Sequence, residues 1–270
     1  MNSKIKLINR RTQALARQGI IRALSARLPL YVVNEYPKSG GTWVSQMLGR
    51  ALNLPHPRNR LPPLESAIVQ GHYINSWGLN NVVVVWRDGR DVMLSWYHHC
   101  LFPNDIKNAL LVERTRRDLS FDDYENVQRN LPEFIEYSFT RQRSPRFSWA
   151  GFVRQWHPRQ DSVHVRYEDL RRDAPGELRR VVLELTGEQL SPERAASIAD
   201  EFSFERQAGR RPGEESKQSF MRKGVVGDWC NHFSLEAREV FGQHAGDELI
   251  LLGYETDKAW IDADTVPRDG

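Results

Sequence analysis

Short apolar segments alternating with helix-like stretches predict an α/β fold with a mainly parallel sheet. Three observations carry that prediction. Leu30–Asn34 is a short apolar segment rich in β-branched residues, followed by a Pro/Gly turn and a helix-like stretch over Trp43–Leu52. Asn81–Trp86 contains four consecutive valines, which suits a central parallel strand buried on both faces. Val163–Arg166 reads as a further strand, and Gly176–Thr186 reads as a helix closed by Gly187.

Taken in chain order, residues 1–27 read as a basic, partly amphipathic helix with Ile5, Leu7, Leu15, Ile20, Ile21 and Leu24 as scattered apolar positions. A basic helical face of this kind is most often solvated and packed on its domain, and contact with an anionic membrane surface is the alternative. After the first strand and helix, Ile68–Gly71 is a short strand-like segment ending at His72. A helix is expected from Asp91 onward, behind the valine strand. Residues 101–148 are charged and carry few strand signals, so helices with loops are expected there, including Asn104–Arg114. This region suits a lid or acceptor wall and equally a structural insertion. Ala208–Gln218 turns to Gly, Arg, Glu and Pro, marking a loop. At 270 residues the chain fits one domain over 30–270 behind an N-terminal extension over 1–29.

Composition excludes several classes. Apolar residues make up 40% and charged residues 27%, enough for a sizeable core. The longest apolar run, Val82–Trp86, is far short of the roughly 20 residues that span a bilayer. The basic N-terminus lacks the apolar core and cleavage site of a secretory signal, so export is not expected. Two cysteines, Cys100 and Cys230, read as reduced thiols, and the cytoplasm is the expected compartment. The net charge of +3 is small for a nucleic-acid binder, and no nucleic-acid partner is expected.

The turn after the first strand carries the chemistry. Tyr36, Pro37, Lys38, Ser39, Gly40, Gly41, Thr42 and Trp43 lie between strand and helix, where backbone N–H groups and the helix dipole favour an anion. Gly40 and Gly41 let the backbone approach oxygens closely, Lys38 supplies charge, and Ser39 and Thr42 supply hydroxyls. The lysine precedes the glycines, unlike the GxxxxGK[ST] loop of nucleotide triphosphatases, which weakens a kinase reading. A plain βα turn would explain the glycines and leave Lys38, Thr42 and Trp43 without a role.

YPKSGGTW closely resembles the 5′-phosphosulfate loop of the cytosolic sulfotransferases. Two further segments resemble that family in the expected order: VVVVWRDGRDVMLSWYH over Val82–His98, and RKGVVGDWCNHF over Arg222–Phe233. The resemblance covers roughly Leu30–Phe233. It implies a P-loop-like parallel sheet flanked by helices on both faces, with 3′-phosphoadenosine 5′-phosphosulfate (PAPS) lying across the strand ends. It further implies that Arg87 and Ser95 clamp the donor's 3′-phosphate, with Arg222, Lys223 and Gly224 as a second clamp. Trp43 and Phe204 would sandwich adenine, with Tyr167 hydrogen-bonding nearby. The bland competitors are Arg87 paired with Asp88 or Asp91, Trp43 padding the core, and Tyr167 capping a strand end.

The implied activity is metal-independent sulfuryl transfer from PAPS to an acceptor hydroxyl or amine by in-line displacement, dominated by positioning and electrostatics. Lys38 would stabilise the departing phosphate. His72 would take the acceptor proton, since an ordinary imidazole pKa near ~6.5 leaves it neutral at working pH; Glu65 or a substrate group is the alternative base. Two departures from the family stand out. Gln70 occupies a place where the family often has a lysine. The family's dimer pattern of lysine, threonine, valine and glutamate is replaced by Cys230, Ser234, Leu235 and Glu239, so that dimer is not expected. A metabolite kinase and a non-catalytic adenosine-bisphosphate binder are the rival functions. Small-molecule, lipid and carbohydrate acceptors all remain open.

Overall fold

The computed structural model describes residues 15–263 apart from 26, 29, 59–64, 107, 143–144, 218 and 220. Residues 1–14 of the expected basic extension lie outside the described residues. Those that are described fall into two compact units. The first comprises the chain up to Glu35, Ser39–Trp86 and Arg159–Phe202; the second comprises Tyr36–Lys38, Arg87–Pro158 and the chain from Ser203 onward.

The first unit holds a parallel sheet of β1 (Leu30–Glu35), β2 (Ala67–Gly71), β3 (Val82–Trp86) and β4 (Val163–Arg166), in the order β2-β1-β3-β4. Val32 pairs with Val69 on one side and Val82 on the other, so β-branched residues meet across the ladder. One face packs on α2 (Gly41–Ala51), α7 (Tyr167–Arg172), α8 (Ala174–Thr186) and α9 (Pro192–Glu201). Val33, Ile68, Val83, Val85 and Val165 meet Val44, Met47, Leu48, Leu170, Val181, Val182 and Ile198 there. Val32, Val69 and Val84 point to the opposite face and are fully buried as well, which is why β3 reads as an unbroken valine run rather than an alternation. Residues 15–24 form helix α1, the described part of the expected basic helix.

Local chemistry sets the helix ends. α8 begins two residues before the expected Gly176 because the Asp173 side chain accepts the Gly176 N–H and Pro175 suits the first turn. It ends where expected, on Gly187 in the left-handed region at φ 77°.

The second unit is helical: α3 (Gly89–Leu101), α4 (Ala109–Asp118), α5 (Val127–Thr140), α6 (Trp149–Trp156), α10 (Phe204–Ala208) and α11 (Leu235–Leu251), with short 3-10 turns at Asp228–Asn231 and Ala259–Ile261. Its core is aromatic, built from Tyr97, Phe134, Phe139, Trp149, Phe152, Phe241 and Trp260. Arg90 is buried within it, stacked between Trp229 and Trp260 at 3.7 and 4.8 Å and paired with Asp88 and Glu255. Among the described residues of the charged 101–148 stretch, α4 and α5 are helices joined by loops. Over the expected Asn104–Arg114 the helix starts only at Ala109, because Asn108 turns back to donate to the His99 and Phe102 carbonyls, and it runs on to Asp118. Residues 209–217 carry turns without helix or strand.

Candidate active site

In the first unit, three of the singled-out segments follow directly on strand carboxyl ends: the turn after β1, His72 after β2, and Tyr167 after β4. Open parallel sheets gather ligands at such ends. Gly40 precedes α2 at φ 103°, with no side-chain cap. The Tyr167 ring lies against it so closely that a Cβ there would come within 2.8 Å of Tyr167 Cδ2. Trp43 meets the same ring edge-on at 6.0 Å. Gly40, Trp43 and Tyr167 are therefore assembled in one place, while Ser39 is buried.

Beneath this turn lies a group the sequence reading does not single out. Glu35, the last residue of β1, is buried, and its Oε2 accepts the Gly41 N–H at 2.5 Å. Its Oε1 accepts from Gln70 Nε2 at 2.8 Å, and Gln70 Nε2 also reaches Thr42 Oγ1 at 3.0 Å. A Cβ on Gly41 would fall 2.5 Å from the Glu35 carboxyl carbon, so the glycine makes room for this carboxylate. Gln70 is thus engaged in the protein and brings no charge to the place where a lysine is common. His72 is exposed, with Nδ1 2.9 Å from the Glu35 carbonyl oxygen. A carbonyl only accepts, so in this bond Nδ1 carries a proton and donates it.

The second unit carries the other cations. Lys38 adopts the left-handed region at φ 74°, unusual for a residue with a side chain, and its carbonyl accepts from Arg87 Nη1 at 3.1 Å. Arg87 also donates to the Val225 carbonyl at 3.3 Å and stands 3.9 Å from Asp91. Asp91 itself accepts the N–H groups of Gly227 and Trp229 at 2.7 and 3.0 Å, fastening the 222–229 segment to α3, the helix that carries Ser95. Arg222 and Lys223 converge on Asp228 at 2.6 and 2.5 Å. Burial alone would raise the Asp228 carboxyl, but hydrogen bonds from Lys223 and Arg222 outweigh it and hold the group well below the usual carboxylate range. Gly224, at φ 67°, lies under the Phe204 ring, where a Cβ would come within 2.4 Å. Arg210 covers Phe204 at 5.0 Å.

Two histidines, His98 buried and His99 half-buried, complete this unit. His98 stacks on Phe102, and burial followed by Arg222 lowers its pKa to about 3. His99 is lowered to about 3 by burial and then by Lys38, and its Nδ1 accepts from Asn104 at 3.0 Å. Neither histidine was singled out from sequence, nor was Asp228; Asp91 was named as a competing partner of Arg87, and it stands 3.9 Å from that residue. For Asp228, as for Asp91, a signal existed: each closes a short segment that carries two cations, RDGRD and RKGVVGD, and a carboxylate so placed can pair with them.

A parallel sheet with a glycine-rich turn at the end of one strand and an exposed imidazole at the end of the next is the frame of an α/β group-transfer enzyme. The comparisons with known proteins name the group. The sulfotransferase domain model matches residues 74–253, and the chain belongs to the sulfotransferase family. Mouse sulfotransferase 1E1 is 26% identical over 81% of this chain and 82% of its own length, and human sulfotransferase 1C2 is 24% identical over 83% and 84%. Among solved structures, mouse sulfotransferase SULT7A1 complexed with PAP has a TM-score of 0.60 at 18% identity, covering 90% of this chain and 92% of its own. A retinol dehydratase in complex with androsterone and PAP has a TM-score of 0.59 at 17% identity, over 88% and 85%. At these identities the two structures bear on the fold. The protein is a sulfotransferase enzyme, and the kinase alternative is not favoured. Among the described residues no helix is long and apolar enough to cross a membrane.

Proposed function

We propose that this sulfotransferase moves the sulfuryl group of PAPS to the hydroxyl or amine of a small-molecule acceptor, with His72 as general base and Lys38 beside the leaving phosphate. The observation that carries the reading is the 2.9 Å contact of His72 Nδ1 with the Glu35 carbonyl, on the residue from which the anion turn departs. That bond sets the tautomer a base requires.

The residues suit the donor. Its two phosphate ends call for two sets of cations, and Lys38 in the turn and Arg87 with Arg222 and Lys223 supply them. Asp228 holds the last two side by side, as an incoming phosphate would need them. Ser95 and Gly224 join that 3′-phosphate clamp in our reading, and Trp43, Tyr167 and Phe204 serve the adenine. When bound, the donor supplies a sulfuryl group whose S–O bond to phosphate breaks as the acceptor atom bonds to sulfur. His72 Nε2 receives the acceptor proton. Lys38, with the amides of Ser39, Gly40 and Thr42, takes up the charge of the electron pair left on the phosphate oxygen; the Gly41 amide, given to Glu35, is not among them. No step calls for a metal ion. Residues 30–270 form the catalytic domain in this reading, and the cytoplasm is its place of action.

The test is transfer of labelled sulfate from PAPS to a panel of phenols, alcohols and amines in excess chelator. Product should form at the same rate with and without EDTA. His72→Ala and Lys38→Ala should each lower kcat by at least about a hundredfold while circular dichroism stays native. A His72→Ala enzyme with near-normal turnover would remove it as the base.

A further inference from the structure

Glu35 makes three separate contacts with the anion turn and its neighbours, although it is buried and offers no surface to a ligand. Gln70 Nε2 carries two protons, and the structure accounts for both: one points to Glu35 Oε1 at 2.8 Å and the other to Thr42 Oγ1 at 3.0 Å. The carboxylate accepts only, so it fixes which end of the Gln70 amide faces inward. Thr42 Oγ1 also lies 3.2 Å from Gln70 Oε1, to which its hydroxyl can donate while Gln70 Nε2 still donates to Glu35. With the amide locked by Glu35, its Nε2 donates to the Thr42 oxygen at 3.0 Å, and the Thr42 proton can turn from the neutral Gln70 Oε1 to a charged phosphate oxygen, the stronger acceptor.

We infer that Glu35 and Gln70 are positioning residues that aim the Thr42 hydroxyl proton at the donor's 5′-phosphate through a carboxylate–amide–hydroxyl chain. This inference rests on the reading of the turn as the 5′-phosphate site. It explains why a neutral amide stands at position 70. An ammonium there would pair with the Glu35 carboxylate, whereas the amide passes the orientation on to Thr42. It also gives Gly41 a role: the absent Cβ admits the carboxylate that anchors both the helix start and the amide. A buried carboxylate is kept here because all its near neighbours donate to it.

Calorimetry with adenosine 3′,5′-bisphosphate (PAP) tests the inference without an acceptor. Thr42→Ala is expected to weaken PAP binding about tenfold, the scale of a lost charge-assisted hydrogen bond. Glu35→Gln should weaken it by a similar factor. The double variant should be no weaker than Thr42→Ala within about twofold, because both changes break one chain. Affinity for adenosine 3′-monophosphate, measured by displacement of PAP, should not change in any of the three. A loss that falls equally on both nucleotides means Glu35 merely holds the fold and overturns the inference. So does unchanged PAP binding in Glu35→Gln. Should Glu35→Gln not fold, Gln70→Met leaves the Glu35–Gly41 bond in place and cuts only the chain to Thr42, with the same outcomes. Wild-type protein that ignores PAP, or a Thr42→Ala variant that binds it normally, would instead sink the reading of the turn.

Discussion

Asp91 and Asp228 show how far surroundings move two like side chains. Burial pushes the Asp91 carboxyl up from 3.8 to about 6, against the pull of Arg87 and of the Gly227 and Trp229 N–H groups. Asp228 moves the opposite way under Lys223 and Arg222. The signs of their stability contributions differ accordingly. Between about pH 4 and 6 the native state holds a proton on Asp91 that the unfolded chain has released, so this contribution falls as pH rises through the window. For Asp228 the contribution is fully present above the unfolded carboxylate pKa and is lost only in stronger acid, as pH falls toward the depressed native value. Thermal melts across pH 3–7 should therefore show a flatter profile between pH 4 and 6 for Asp91→Asn than for the native protein. An unchanged slope in that window would mean another group sets it. At this scale the cations stand in motifs that the sequence displays, and of their counter-charges Asp91 was read as a competing partner of Arg87 while Asp228 and Glu35 were not read. Lys38, Arg87, Arg222 and Lys223 stand in recognisable motifs, whereas Glu35 is a strand residue whose meaning depends on Gly41, Gln70 and Thr42 folding over it.

Elements were legible where local chemistry decides them. The valine run of β3, the Asp173 and Pro175 start of α8 and its Gly187 stop are properties of a few consecutive residues. α5 is different: Pro132 stands inside it, where a reading from periodicity would end a helix, and packing against α11 sustains it. The contrast between Gly187 and Gly89 can be measured. Nothing lies within 4 Å of a Cβ on Gly187, so Gly187→Ala carries only the left-handed backbone cost of about 1 kcal/mol, or a Tm lower by about 2–4 °C. A Cβ on Gly89 would meet Phe241 at 2.7 Å and Trp149 at 2.9 Å, so Gly89→Ala overpacks the aromatic core and should cost about 1–3 kcal/mol or more. Equal melting temperatures for the two alanine variants would mean that the aromatic core yields freely. Of the expected Ala208–Gln218 loop, residues 209–217 were legible as a loop and no further, because their Gly and Arg content leaves the path to the surrounding chain.

For the whole molecule, fold and reaction class were legible because three separated segments each match one family's chemistry, and the parallel sheet orders the first two by strand. The acceptor was not legible, since its walls would come from charged helices and loops whose residues have no fixed chemical signature. Donor binding can be pursued without knowing the acceptor. A ligand that binds only the native state stabilises it by about 2.7 kcal/mol at a hundredfold excess over Kd, so PAP should raise the melting temperature by several degrees. Because the proposed grip is cationic at both ends, the gain at fixed PAP should shrink as salt rises from roughly 0.05 to 0.5 M, where screening lengths fall to a few ångströms. Arg222→Ala combined with Lys223→Ala should abolish most of the gain, and it carries a second consequence. Asp228 is only 3% exposed, and stripping both cations leaves its buried carboxylate with the neutral Asn231 amide at 3.2 Å and His232 at 3.8 Å in their place, so the ligand-free variant should itself melt lower. Adding Asp228→Asn to that pair removes the stranded charge. The triple variant should recover melting temperature while PAP still fails to stabilise it, and recovery of PAP stabilisation together with Tm would show that Arg222 and Lys223 serve the fold and not the nucleotide.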